Sequence, residues 1–246
     1  MATRADTSGS GHSRRNWTMG AVTALASAIV AQACASGAQT ARRSVPTERN
    51  KNAAAAEERA AIARLVQEER HWRDLGQWDL MRQAYVDHAT IRVTWFHGEI
   101  DAFIAGSKQL RGAQSKHRLS PTIISVKGDR ALAESSAAIE LRFPVEGVLA
   151  DITSSCRLVS RVLRTPQGWR LASLDAIYEK DFITPVLPGE RLTMNADRLG
   201  SLRPSYRFLA YVSGRPIPDD LPGDDRPELT KALYSEAERW LANAAP

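Results

Sequence analysis

Thiols are scarce in this chain: Cys34 and Cys156 are the two cysteines among 246 residues. That is too few for a disulfide framework or a cysteine-built zinc site. Long apolar runs are also missing. Apart from residues 19–33, which come nearest, no stretch approaches the roughly 20 apolar residues of a spanning helix. The body of the chain has no charge excess either. Lys and Arg number 33 against 28 Asp and Glu, a net +5, and residues 1–52 hold 7 basic and 2 acidic side chains, which accounts for all of it. Residues 53–246 then carry 26 of each sign, so no basic face is expected and no nucleic-acid partner with it. A Gly-rich phosphate loop and a Gly-x-Ser-x-Gly elbow are both lacking. No two histidines stand four apart on one helix, so no metal is expected. There is no internal repeat.

An ordinary apolar share of 43% remains, enough for a packed core. Residues 1–41 read as an export signal. Ser13-Arg14-Arg15-Asn16-Trp17 resembles the twin-arginine pattern, a weakly hydrophobic stretch follows at 19–33, and small residues come next. Ala31-Gln32-Ala33 and Ala33-Cys34-Ala35 both suit cleavage, and Cys34 is where a lipid anchor would sit. This order predicts a periplasmic or extracellular protein with no membrane-spanning segment once the signal is removed. The competing reading is a misassigned start and a cytoplasmic location. Residues 42–54, polar and basic, read as a linker.

The body, residues 55–183, begins with a helical pattern. Ile62, Leu65, Val66, Trp72 and Leu75 recur at helix spacing, with Arg64, Glu68 and Arg70 elsewhere around the wheel. Gly76 stops that helix, and Trp78-Asp79-Leu80-Met81 opens a shorter one running to Tyr85. The β-rich residues 89–96 follow, then a third helix over 99–110. Four extended segments come next, at 117–126, 130–143, 149–163 and 169–181, the first two joined by a turn at Lys127-Gly128-Asp129. In the second segment Ala131, Ala133, Ser135, Ala137, Ile139, Leu141 and Phe143 share one face. In the third, Ile152, Ser154, Cys156, Leu158, Ser160 and Val162 do. Rows of small residues leave room for a cavity. Helices first and a meander afterwards predict an α+β fold, a curved antiparallel or mixed sheet packed against N-terminal helices. Residues 184–246 form a C-terminal extension with short helices, one starting at Asp224-Asp225-Arg226-Pro227-Glu228.

His117 stands at the mouth of the hairpin, and an imidazole there can take and return a proton near neutrality. His71, His88 and His97 lie in helix, turn and strand-end settings that suit exposed positions. Arg157 and Glu140 read as charges on a solvated sheet face, and Cys156 as a small buried residue. Most of the aromatics read as core, and Trp95 is the one placed at a pocket.

Several features together resemble the SnoaL-like branch of the nuclear transport factor 2-like superfamily. They are the αα-β-α-ββββ order, Asp74-Leu-Gly-Gln-Trp-Asp79 at a helix junction, the extended stretch ending in Trp95 and Phe96, Lys116-His117, and Gly168-Trp169-Arg170-Leu171. That resemblance implies a cone-shaped sheet around an enclosed pocket and homodimerisation through the open sheet face. In the scytalone dehydratase comparison, the pocket histidine falls on His117 and the aspartate that holds it on Asp74. Its two tyrosines fall on Arg73 and Trp95, and its second histidine has no counterpart here. The function expected is cofactor-free acid–base dehydration or isomerisation of a small hydrophobic carbonyl or hydroxy compound. His117 and Asp74 would be catalytic, and Trp95, Phe96, Phe143 and Trp72 would line the pocket. The alternative is a non-catalytic module of the same fold that binds a small ligand or serves an assembly.

Overall fold

A computed structural model describes residues 48–110, 115–214 and 217–244. The export signal, Cys34 and the start of the linker lie outside the described residues.

Helix α1 (Glu48–Leu75) runs 28 residues without Pro or Gly and begins inside the stretch read as linker. Its end is fixed by Gly76, whose φ of +68° suits a residue without Cβ. Gly76 N–H donates to Arg73 O, and Gln77 N–H donates to Trp72 O at 2.8 Å. These two bonds close the helix as a Schellman motif. Helix α2 (Trp78–Gln83) stops two residues short of Tyr85, because Tyr85 already belongs to strand β1 (Tyr85–Val93). The expected strand over 89–96 is in fact two: β1, and β2 (Phe96–Glu99), which folds back on it antiparallel. Helix α3 (Ile100–Gln109) follows.

The extended segment expected over 117–126 is likewise broken, into β3 (Lys116–Leu119) and β4 (Ile123–Lys127). Pro121 lies between them, where a missing N–H and a fixed φ interrupt a ladder. Both pieces pair with β5 (Arg130–Val145). Strands β6 (Val148–Thr165) and β7 (Gly168–Pro185) complete one seven-stranded sheet in the order β2-β1-β7-β6-β5-β3, with β4 also on β5. The β1–β7 pair is parallel and the other pairs are antiparallel.

Register slips at Ser155/Cys156 and at Arg161/Val162 leave Glu179 and Ala172 of β7 as extra residues. Bulges of this kind bend a strand and increase its twist. The sheet curls round α1 and α3, and the small-residue faces read from the sequence turn inward. Ile152, Ser154, Cys156, Leu158, Ser160 and Val162 are all buried, and burial pushes the Cys156 thiol up to about 12.

The C-terminal part contains α4 (Ala196–Gly200), a 3-10 turn (Pro204–Tyr206), α5 (Arg207–Ser213) and α6 (Pro227–Ala242). Helix α6 lies on the sheet's outer face, where Leu233 packs with Val159 and Ile177. That corrects the expectation for Arg157. It is not simply solvated: its guanidinium reaches Glu179, Asp224 and the Tyr234 hydroxyl at 3.0, 2.6 and 2.9 Å. Among the described residues, no helix is long and apolar enough to cross a membrane.

Candidate active site

The Schellman cap sets the direction of the last two turns of α1, which carry Arg70, Arg73 and Asp74. Lys116 Nζ donates to Asp74 O at 2.8 Å and so occupies one of the carbonyls a helix end leaves open. The same contact brings β3 to the helix. One residue further on, the His117 backbone N–H donates to Asp74 Oδ2 at 2.6 Å, and the ring Nδ1–H donates to Oδ1 at 2.7 Å. The His117 side chain is 5% exposed.

Burial pushes the imidazole's pKa down. The Asp74 hydrogen bond opposes this, but the charges of Arg70 and Arg73 add to it, and the ring ends at about 4. For Asp74, burial acts to raise the carboxyl. The hydrogen bonds from His117 and the Arg73 charge outweigh it, leaving the carboxyl below its ordinary range. Near neutral pH the pair is therefore a neutral imidazole on an ionised carboxylate. Nδ1 carries the proton and Nε2 keeps a lone pair.

His117 borders a cavity of about 470 Å³. Its walls come from helices and strands on the inner side of the sheet. Val93 and Thr94 lie at and just past the end of β1, with Trp95 beyond them; Phe103 is on α3, and Ile139, Leu141 and Phe143 are on β5. Leu158 of β6, Ala176 and Tyr178 of β7, and Leu209 and Val212 of α5 also line it. Trp95 stacks on Phe103 with centroids 5.0 Å apart. The Tyr178 hydroxyl accepts from Thr94 N–H at 3.0 Å. Arg70 is 4% exposed and grips the adjacent buried Glu69, which also accepts from the Tyr85 hydroxyl at 2.9 Å. Burial works against the Arg70 charge, but Glu69 outweighs it and holds the guanidinium above its ordinary pKa.

Of the expected lining residues, Trp95 and Phe143 border the cavity, whereas Phe96 and Trp72 do not. Thr94 and Trp95 form the turn between β1 and β2, and Phe96 begins β2, paired with Val93. Phe96 packs behind the wall, 5.6 Å from Trp95 and 5.4 Å from Phe103. Trp72 points off the other side of α1 into a separate groove with Leu65 and Trp169.

Arg70, Arg73, Tyr178 and the α5 residues were missed. The two arginines continue the stripe of Ile62 and Val66 at three- and four-residue steps, a signal hidden by reading charge as exposure. Of the other histidines, His71 and His97 are exposed, and His88 is an exposed partner of Glu99 at 3.1 Å.

Residues 54–175 match the SnoaL-like domain family. Pea pathogenicity protein 2 of Fusarium vanettenii is 31% identical over 200 residues, spanning 75% of this chain and 85% of that protein. A PEP2-like protein of the same fungus is 30% identical over the same shares. Among solved structures, a putative scytalone dehydratase from Novosphingobium aromaticivorans superposes with a TM-score of 0.48 at 14% identity, covering 58% of this chain and 99% of that one.

Proposed function

This chain belongs to the SnoaL-like family, and we propose that its cavity is the active site of a cofactor-free acid–base enzyme, a dehydratase or isomerase acting on a small hydrophobic carbonyl or hydroxy compound. One observation carries this reading: a buried, neutral His117 held by an ionised Asp74 at the wall of a mainly apolar cavity.

In the dehydration, Nε2 of His117 takes the proton on carbon beside the substrate carbonyl. The C–H electron pair forms a C=C bond while the carbonyl π pair moves onto oxygen, giving an enolate. Collapse of the enolate restores the C=O and expels the β-hydroxyl. The hydroxyl takes the proton back from the imidazolium and leaves as water. Isomerisation differs only in the last step, where the proton returns to another carbon. Asp74 fixes the tautomer and stabilises the imidazolium while it exists. The apolar walls exclude water and place the carbon skeleton.

The test is an absorbance screen of β-hydroxy carbonyl and enolisable compounds on wild type, His117→Ala and Asp74→Asn. Turnover by wild type that falls by about 10²–10⁴ in both variants is expected for a lost general base. Turnover that survives both changes removes the pair from the mechanism. Binding with no turnover in any form supports the non-catalytic ligand-binding reading instead.

A further inference from the structure

Apart from the Tyr178 phenol, the titratable side chains that line the cavity are basic: Arg70, Arg73 and His117, with no carboxylate among the lining residues. The three are not equivalent. Arg70 has its own counter-ion in the adjacent Glu69, which it engages through Nε and Nη2. Asp74 is taken up by the ring and backbone of His117. Arg73 is left with a share of Asp74, whose Oδ1 lies 3.5 Å from Nη1, and with the neutral Ser115 hydroxyl, which accepts from Nη1. Its Nε is buried with no acceptor among the described residues, and the side chain as a whole is 12% exposed. Burial is also the largest influence on its pKa, holding it below the ordinary value. A guanidinium taken out of water without a full set of acceptors is costly, and because Arg73 borders the cavity, an anionic oxygen held there would offset that cost by supplying a counter-charge.

We propose that Arg73 is the oxyanion-binding group of this site, and that the substrate class is a small hydrophobic compound whose polar end is an oxygen that is, or becomes, anionic. The assignment rests on the acid–base reading above. It adds the group that holds the enolate formed when His117 takes the proton. Arg73 is next to Asp74 in the chain, so one helix turn positions both the partner of the base and the partner of the oxyanion. Preorganised donors aimed at developing charge in a water-poor site are a large source of rate enhancement. The aromatic wall of Trp95 and Phe103 suits a flat carbon skeleton on the other side.

The experiment titrates 4-nitrophenol with the full chain and reads the ionisation of bound dye by absorbance across pH. Wild type is compared with Arg73→Gln, Arg73→Lys and His117→Ala, with circular dichroism as the check on folding. Wild type is expected to bind the phenolate about tenfold or more tighter than the phenol, the scale of one charge-assisted hydrogen bond. Arg73→Gln should lose that preference, Arg73→Lys should keep part of it, and His117→Ala should keep it.

A parallel competition between 1-naphthoate and 1-naphthalenemethanol separates the two sources of negative charge. A naphthoate preference that disappears in Arg73→Gln supports the assignment with a standing carboxylate. A phenolate preference without a naphthoate preference supports it with an oxyanion made during reaction. Equal wild-type affinity for phenol and phenolate, a preference unchanged in Arg73→Gln, or no binding of any anionic probe overturns it. Dye ionisation does not depend on turnover, so the proton-shuttle reading and the Arg73 assignment fail by different readouts.

Discussion

The Asp74 carboxylate holds His117 twice, by the backbone N–H at 2.6 Å and by ring Nδ1 at 2.7 Å. One side chain thus fixes both the strand and the tautomer. Asp74→Asn separates these two jobs. The amide oxygen can still accept from the backbone, but its NH₂ then faces Nδ1 as a donor. That forces the imidazole proton onto Nε2 and, in the proposed mechanism, removes the base from the cavity side. The fold should persist while turnover drops by about 10²–10⁴. Circular dichroism and rate measurements on the same sample check this.

The depressed His117 pKa makes stability depend on pH. In the unfolded chain the ring titrates near 6.5, and in the folded protein it titrates at about 4. Between those values the unfolded state binds more protons, so stability is full above about 6.5 and falls as pH drops toward 4. The span corresponds to about 3 kcal/mol. Urea midpoints at pH 7 and pH 4.5 should differ in wild type, and by much less in His117→Gln. Turnover by a base of this pKa should also stay flat around neutrality and decline only as pH falls through about 4.

Asp181 behaves in the opposite sense. Its Oδ2 accepts from Leu209 N–H at 2.7 Å at the start of α5, while Oδ1 is buried without a donor among the described residues. Burial pushes this carboxyl up to about 6, against the pull of the α5 backbone amides and Arg207. A raised carboxyl pKa means the folded state binds the proton more tightly. Its contribution is present below about pH 4 and is lost as pH rises through about 6. Asp181→Asn keeps an acceptor for Leu209 and removes the charge. The variant should therefore melt above wild type at pH 7.5 and alongside it at pH 4, as read by paired thermal scans.

Arg203 and Gly223 anchor the extension. The Arg203 guanidinium makes two bonds to Asp225, at 2.9 and 2.8 Å, and also reaches the carbonyls of Asp219 and Leu221. A Cβ on Gly223 would stand 2.7 Å from Asp225 Oδ1 and 2.9 Å from Ser205 Oγ, with Tyr178 O at 3.1 Å. Gly223→Ala must therefore open this junction. Arg203→Ala should cost about 2 kcal/mol, the scale of a lost charged hydrogen bond, and Gly223→Ala about 1–3 kcal/mol, the scale of forcing an extra carbon into a packed site. Chemical denaturation gives the loss, and faster proteolysis within residues 186–226 locates it.

The sheet and the helices that fill it were readable because their periods are local. The inward rows of β5 and β6 follow from alternation alone, and α1 from its apolar spacing. The strand breaks were harder to read. Pro121 was a visible signal, yet an unbroken β-rich composition masked it. His117 and Asp74 are 43 positions apart, so spacing could not join them, and the family resemblance supplied the pairing. Arg70 and Arg73 were hidden for a different reason. Charged residues on a helical stripe normally face water, and only the folded cavity shows that these two do not. Trp72 and Phe96 show the converse, since aromatic character says nothing about which way a ring faces.

The extension is joined to β7 at the bulge itself. Tyr178 N–H donates to Pro222 O at 3.1 Å, and Asp224 N–H donates to Tyr178 O at 2.9 Å, while the Tyr178 ring forms part of the cavity wall. The backbone of a cavity-wall residue is thus shared with a segment some 45 positions downstream. These groups cannot open independently, so the tail and the rear of the cavity form one cooperative unit. In native-state hydrogen exchange the amides of Tyr178 and Asp224 should give the same opening free energy, and Arg203→Ala should lower both together. A probe that binds the cavity should slow exchange at Asp224, whose own segment does not line the cavity.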